Sequence, residues 1–175
     1  MEKIEQMTIQ KVVLDAGPII HLDEITCLHL LSDFKELLVP EAVWKEIGYH
    51  RPSVLNNSTL PFIKISVLEN IDSPIVMLCN AFNLDEGEKQ AVVLCFQHPD
   101  SIFLTDDAAA RLAAKSIGIK THGTVGILLR AIRREQLTPQ EVIKHLEEIP
   151  LKSTLFIKTS LLTEIIEEVR KEYNI

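Results

Sequence analysis

Residues 9–18 read IQKVVLDAGP, a β-rich run that ends in a carboxylate and a Gly-Pro pair. We predict a strand over Ile9–Leu14 and a helix that starts at Pro18, because proline is favoured at the first helical position. Strands that alternate with helices predict right-handed crossovers and a parallel sheet. The fold class is therefore α/β. Four later stretches each predict a further strand with a helix after it: LLVP (37–40), FIKISV (62–67), SIFLT (101–105) and IKTH (119–122).

The composition is that of a folded domain. Of 175 residues, 46% are hydrophobic, 25% are charged and only 5% are aromatic, so we expect an aliphatic core of helices packed on a sheet. The net charge of −7 disfavours binding of nucleic acid through net charge alone, but allows an enzyme with masked carboxylates and a local basic patch. Three distant cysteines without a CxxC pair argue against a zinc knuckle and favour the cytoplasm. We find no secretory signal and no membrane span in the sequence.

The remaining segments predict an edge strand, a loop and a terminal helix. Pro61 places the strand at 62–67 on a sheet edge, and residues 48–60 are predicted to form a polar loop. We expect residues 1–150 to form one domain and residues 151–175 to form an extension with an amphipathic helix that packs on it. The alternative for this helix is a docking face for a second subunit or a partner. Its stripe consists of Leu162, Ile165, Ile166, Val169 and Tyr173.

Acidic residues occupy the ends of two predicted strands. Asp15 ends the first strand, and Asp106 and Asp107 end the strand at 101–105. Open α/β sheets bind ligands beyond the carboxyl ends of their strands, and Mg²⁺ prefers oxygen ligands, so these acids suit a metal site. Asp106 has an equally good interpretation as a helix N-cap, with Asp107 favoured by the helix dipole. Asp15 precedes the Gly-Pro break and is not expected to be a cap, so its burial needs another compensation.

The helix EAVWKEI (41–47) carries a further candidate acid. Val43 and Ile47 stand at i and i+4 and mark the inward face of this helix. Glu46 lies on the margin of that face. Glu41 is placed to form a solvated ion pair with Lys45. Glu46 is therefore the better candidate for a functional site.

The stretch LDEGEKQAVVL (84–94) carries another. Asp85 and Glu88 have the spacing of a capping box, which is a sufficient structural reason for both residues. Glu88 also begins the stripe of apolar residues that faces the interior, whereas Glu86 does not. Both interpretations of Glu88 stay open on the pattern alone.

Five stretches of the chain resemble the PIN-domain nucleases, and among them a prokaryotic, VapC-like branch. The resemblance implies a PIN-like three-layer α/β/α fold, with a twisted parallel sheet flanked by helices. It also implies metal-dependent phosphodiester hydrolysis, usually of RNA. The stretches fall in family order over about residues 9–135: VVLDAGPIIHL, LLVPEAVWKEI, LDEGEKQAVVL, IFLTDDAAARLAAKSIGIK and HGTVGILLRA.

The resemblance also assigns the catalytic acids. The first, second and fourth acids of the family fall on Asp15, Glu46 and Asp106, with Asp107 as a possible fifth. The third falls on Glu88, where Asp is common elsewhere in the superfamily. Mg²⁺ or Mn²⁺ is expected at Asp15, Glu88, Asp106 and Asp107, with Glu46 nearby.

Basic residues complete the predicted site. Arg111 and Lys115 share a helix face and are candidate contacts to substrate phosphates, although Arg111 is equally suited to neutralising the acids. A second basic group, which could also contact phosphates or be solvated surface, consists of Arg130, Arg133 and Arg134. His21 and His122 lie near strand ends, where a satisfied structural role is favoured over a role in the site.

Two other functional classes stay open. One is a binding module with a silent acidic site, for example in a toxin–antitoxin system with an antitoxin-like partner or as a homodimer. The other is a different metal- or phosphate-handling α/β protein, but the chain has no GxGxxG after a strand, no GxxxxGK[ST] and no HExxH. A phosphatase with a DxD nucleophile is excluded because Ala16 and Gly17 follow Asp15. We therefore expect a cytoplasmic, metal-dependent nuclease, with RNA favoured as its substrate.

Overall fold

The computed structural model describes residues 11–56, 59–68, 70 and 73–175. These residues contain a five-stranded sheet in the order β3-β2-β1-β4-β5, with every neighbouring pair parallel. The α/β prediction is confirmed, and β3 lies at an edge as Pro61 indicated. Ile9 and Gln10, the start of the first predicted strand, lie outside the described residues. The strands are β1 (Lys11–Leu14), β2 (Glu36–Pro40), β3 (Phe62–Ile65), β4 (Ile102–Leu104) and β5 (Thr121–His122).

Helices cover both faces of the sheet, which confirms the predicted three layers. Side chains alternate between the faces along each strand, so Val12 and Leu14 enter one core while Val13 enters the other. Helices α4 to α6 pack over the face of Val13, and the remaining helices contribute to the other core. The helices are α1 (Ala16–Glu24), α2 (Glu41–His50), α3 (Pro52–Leu55), α4 (Pro74–Ala81), α5 (Glu86–Gln97), α6 (Ala108–Ser116), α7 (Thr124–Arg133), α8 (Pro139–Lys152) and α9 (Thr159–Tyr173).

Two of the predicted boundaries were wrong. Helix α1 begins at Ala16, so Pro18 is its third residue; the first N–H groups of a helix lack intrahelical partners, and proline is therefore tolerated there. The segment predicted as a polar loop at 48–60 contains the end of α2 and the single turn α3. This turn forms because Val54 and Leu60 are both buried in the core.

The C-terminal helix packs on the same core as the sheet. Helix α9 lies against α8 and buries Leu162, Ile166 and Val169. The connection between the two helices is fixed by Glu24, whose carboxylate accepts hydrogen bonds from Ser153 Oγ (2.8 Å) and the Thr154 backbone N–H (2.7 Å). Within the described residues, no helix has both the length and the apolar character needed to cross a membrane.

Candidate functional site

Asp15 lies at the carboxyl end of β1, where it is only 7% exposed. Its Oδ1 accepts a hydrogen bond from the Ala16 backbone N–H, and its Oδ2 accepts one from Thr105 Oγ1, both over 2.8 Å. Asp15 is thus the N-cap of α1, contrary to the prediction that it was not a cap. Burial raises the pKa of Asp15 to about 6, because desolvation disfavours the charged form more than these two hydrogen bonds stabilise it.

Glu88 lies in the first turn of α5 and forms the predicted capping box with Asp85. The Glu88 backbone N–H donates to Asp85 Oδ1, and the Asp85 backbone N–H donates to Glu88 Oε2, each over 2.9 Å. Partial burial, together with the negative charges of Asp85, Asp107 and Asp15, raises the pKa of Glu88 to about 7. The capping-box interpretation of Glu88 is confirmed. The Glu88 carboxylate nevertheless lies near the other acids, because their charges affect its pKa.

Glu46 reaches the same region from α2. A Cβ atom built on Gly87 would lie 3.6 Å from Glu46 Oε2 and 3.5 Å from Asp85 Oδ1, so the two carboxylates flank this glycine. Partial burial raises the pKa of Glu46, and the charge of Asp85 adds to the effect. Glu41 instead pairs with Lys45 and Lys64 at the surface, as its spacing from Lys45 predicted.

Asp106 and Asp107 follow β4 but turn in different directions. Asp107, not Asp106, is the N-cap of α6: its Oδ1 accepts a hydrogen bond from the Ala110 backbone N–H over 2.8 Å. The backbone N–H of Asp107 donates to Thr105 Oγ1 over 3.1 Å. Because its charge also raises the pKa of Glu88, Asp107 belongs with the other acids.

Asp106 is held instead by residues of α1 and α7. Its Oδ2 accepts hydrogen bonds from His21 Nδ1 (2.8 Å) and Thr124 Oγ1 (2.6 Å), and its Oδ1 accepts one from the Thr124 backbone N–H (2.8 Å). Burial alone would raise the pKa of Asp106, but these hydrogen bonds outweigh it and hold the pKa below its ordinary value. Three of about four lone-pair directions are therefore used, which leaves one on Oδ1 for another ligand.

We call the five electrostatically coupled carboxylates the acidic cluster: Asp15, Glu46, Asp85, Glu88 and Asp107. The charges that most affect Asp15 and Glu88 are all other carboxylates, and each raises their pKa. Asp85 was missed by sequence reasoning, because the capping box was already a sufficient explanation for it. The spacing that forms the capping box also places both carboxylates at the same end of α5. This spacing was the signal from which Asp85 could have been predicted as a member of the cluster.

The donor chemistry of the acidic cluster fits a hard divalent cation, which prefers carboxylate oxygens and offsets their mutual repulsion. Across the described ranges, however, no three His, Cys, Asp or Glu side chains already converge as a metal-holding group. Water molecules completing the coordination would reconcile the two observations, since Mg²⁺ is usually bound through one or two carboxylates with several waters.

The predicted basic residues divide into two groups. Arg111 Nη2 donates to the Thr105 carbonyl over 2.8 Å, and both Arg111 and Lys115 line a groove beside Asp106. Two arginines of the second group, Arg130 and Arg134, instead form ion pairs with Asp33. Asp33 therefore engages these two arginines, and a contact between them and phosphates stays a prediction.

Comparison with known proteins gives one finding. A family model described as a PIN domain matches residues 11–171 of the chain. No curated protein matches, and neither does any solved structure. The matched range runs from β1 into α9 and extends beyond residue 135, where the recognisable stretches of sequence end.

Proposed function

We propose that this chain, which belongs to the PIN-domain family, is a metal-dependent endoribonuclease. The family consists generally of nucleases that bind divalent metal ions and act on nucleic acids. For this chain we propose that the substrate is RNA, and we propose which residues perform the reaction.

The proposal rests on the acidic cluster at the carboxyl ends of β1 and β4. Burial, and after it the negative charge of neighbouring carboxylates, raise the pKa values of Asp15 and Glu88, so folding holds these acids at an electrostatic cost. Carboxylates with raised pKa values cluster at sites where they bind a cation or take part in a reaction. Mg²⁺ or Mn²⁺ bound by these acids would supply charge stabilisation for the attack of water on phosphorus.

The protein's own groups would have distinct tasks. One or two of Asp15, Glu88 and Asp107 would hold the cation directly, and the remaining carboxylates of the acidic cluster would bind its water ligands. Asp106 would accept a hydrogen bond from a further water ligand at the remaining lone pair on Oδ1. These roles retain the assigned acids and add Asp85 to them.

The substrate would approach from the side of α6. Arg111 and Lys115 line the groove beside Asp106 and would contact phosphates of the strand. The hydrogen bond from Arg111 to the Thr105 carbonyl holds its guanidinium at the groove edge. Phosphate contacts of this kind fix the register of a strand without reading its sequence.

The test compares cleavage of an RNA and a DNA of the same sequence by the wild type, Asp15→Asn and Glu86→Gln. Glu86 lies in the same helical turn as Glu88 but pairs with Lys89 outside the cluster, so it is a matched control. We expect the wild type to cleave RNA only with Mn²⁺ or Mg²⁺, and EDTA to stop the reaction. The Asp15→Asn variant should cleave at least 100-fold more slowly, whereas Glu86→Gln should cleave like the wild type.

A second measurement separates the metal site from activity. Mn²⁺ should raise the melting temperature of the wild type at pH 8, and the increase should be much smaller in Asp15→Asn, because binding to the folded state alone stabilises it. Metal-dependent cleavage that survives in Asp15→Asn would exclude the acidic cluster as the active site.

A further inference from the structure

The groove beside Asp106 combines cations with exposed apolar side chains. Its volume is about 790 Å³, and its walls come from α6, the start of α7, the segment 155–158 and α9. Cationic side chains on these walls are Arg111, Lys115 and Lys158. Asp106 is the one carboxylate among the described residues that line the groove, and three hydrogen bonds already hold it.

The lining of the groove carries three cationic side chains against one carboxylate, so it is net positive although the protein as a whole is acidic. Burial lowers the pKa of His122, which lines the groove, and the positive charges of Arg133, Arg130, Arg111 and Lys115 lower it further. The net charge of the chain is −7. A local positive field of this kind attracts an anionic ligand despite the opposite net charge.

Phe156 presents an aromatic ring at this groove. It is 85% exposed, although it lies between Leu155 and Ile157, which pack against the core. This alternation directs Phe156 and Lys158 outward together. The segment is also anchored, because Glu24 binds the preceding Ser153 and Thr154. A segment whose backbone is already anchored loses less conformational freedom when it binds a ligand.

We propose that this groove binds single-stranded nucleic acid, with a base stacked on Phe156 and phosphates contacted by Lys158, Lys115 and Arg111. Every base has a π face, so a ring and flanking cations bind single strands with little sequence preference. A base in a duplex is already stacked and cannot be covered in this way. The inference rests on the proposed function, because the bound strand would run past Asp106 toward the acidic cluster.

The experiment measures binding without cleavage. A fluorescein-labelled 12-nucleotide RNA of mixed sequence is titrated with the full chain in EDTA, and fluorescence anisotropy gives Kd. Phe156→Ala should weaken binding about tenfold, within the range for loss of one stacking aromatic. Phe156→Tyr should bind like the wild type. A duplex of the same length should bind more weakly and show no response to Phe156→Ala.

Leu151 provides the matched apolar control, since it is 83% exposed and does not line the groove. Leu151→Ala should leave Kd within twofold of the wild-type value. Equal losses in Leu151→Ala and Phe156→Ala, or no binding of the single strand by the wild type, would overturn the inference.

Lys158 tests the phosphate contacts. Lys158→Gln should lower the slope of log Kd against log salt concentration by about 0.7, the value for one phosphate contact on a single strand. Lys35 serves as the control because it is exposed and precedes β2, at the amino-terminal end of the strand, whereas the acids lie at the carboxyl ends of β1 and β4. An equal change of slope in Lys35→Gln would contradict a role for Lys158.

The outcomes also distinguish the groove from the nuclease proposal. Binding that depends on Phe156, with no metal-dependent cleavage, supports the groove and contradicts the nuclease. Cleavage with a Kd insensitive to Phe156→Ala supports the nuclease and overturns the groove. A wild-type dimer that Phe156→Ala converts to a monomer, measured by light scattering, would assign the groove to a second copy of the chain and overturn the inference.

Discussion

Thr105 connects two members of the acidic cluster. Its Oγ1 donates a hydrogen bond to Asp15 Oδ2 over 2.8 Å and accepts one from the Asp107 backbone N–H over 3.1 Å. Thr105 is fully buried at the end of β4. The hydroxyl therefore fixes the Asp15 carboxylate relative to the start of α6, and it opposes the effect of burial on the pKa of Asp15.

Replacement of Thr105 by valine should move the pH dependence of cleavage to higher pH. Valine has nearly the same shape but no hydroxyl, so the pKa of Asp15 should rise further above about 6 and less of the carboxylate should be ionised at pH 7. The measurement is kcat/KM against pH with Mn²⁺. Thr105→Ser retains the donor and should restore the wild-type profile. Identical profiles for wild type and Thr105→Val would contradict the role of this hydrogen bond.

Glu88 should make the folded protein less stable as pH rises. Its pKa is raised to about 7 from an ordinary 4.5, so the folded state binds this proton more tightly than the unfolded state. Its contribution to the free energy of unfolding therefore falls between about pH 4.5 and 7. Glu88→Gln keeps the capping box, because glutamine also accepts the Asp85 N–H. In EDTA, its melting temperature should exceed that of the wild type at pH 8 and equal it near pH 4.

Glu86→Gln is the control for this experiment. Glu86 lies in the same turn of α5, and its charge is balanced by Lys89 at 3.7 Å. Its substitution should not raise the melting temperature at pH 8. If Glu88→Gln is no more stable than the wild type at pH 8, the ionised Glu88 carboxylate does not destabilise the fold.

The strands and the acids at their ends could be predicted because the signals are local. A buried run such as VVL before Asp15 indicates a strand whatever the rest of the chain does. The five parallel strands and the edge position of β3 followed from such signals and from one proline.

The directions of Asp106 and Asp107 could not be predicted in this way. His21, which binds Asp106, is 85 positions away in the sequence, and Thr124 is 18 away. The coupling of Asp85 to Glu46 likewise depends on the packing of α5 against α2. Contacts between distant segments decide these features, and neither periodicity nor capping patterns report them.

Asp106 and Asp107 should differ in their effect on stability. Asp106→Asn should lower the free energy of unfolding at pH 7 by about 2 kcal/mol, because its amide nitrogen cannot accept the bonds from His21 and Thr124. Asp107→Asn should change it by less than about 0.5 kcal/mol, since asparagine is also a good N-cap. Urea unfolding without metal measures both values. Equal losses would mean that the hydrogen bonds of Asp106 do not stabilise the fold.

The effect of Asp106→Asn should also depend on pH. The pKa of Asp106 is held below its ordinary 3.8, so the carboxylate contributes stability above about pH 4 that is lost as pH falls through the lower, folded-state pKa. The difference between wild type and Asp106→Asn should therefore shrink as the pH falls below 4. A constant difference from pH 7 to pH 3 would attribute the loss to altered packing instead of charge.

Gly123 should tolerate no side chain, for a reason that can be separated from helix propensity. A Cβ atom there would collide with Asp106 Oδ1 and lie 2.6 Å from Arg111 Nη2, so Gly123→Ala must displace both side chains. We expect a loss of about 1–3 kcal/mol in the free energy of unfolding and reduced cleavage. At Gly126, three residues later in α7, the three atoms nearest to an added methyl group all belong to His122 and lie 3.4 Å or more away. Gly126→Ala should therefore stabilise the helix by about 0.5–1 kcal/mol, and a similar gain in Gly123→Ala would contradict the close approach at Asp106.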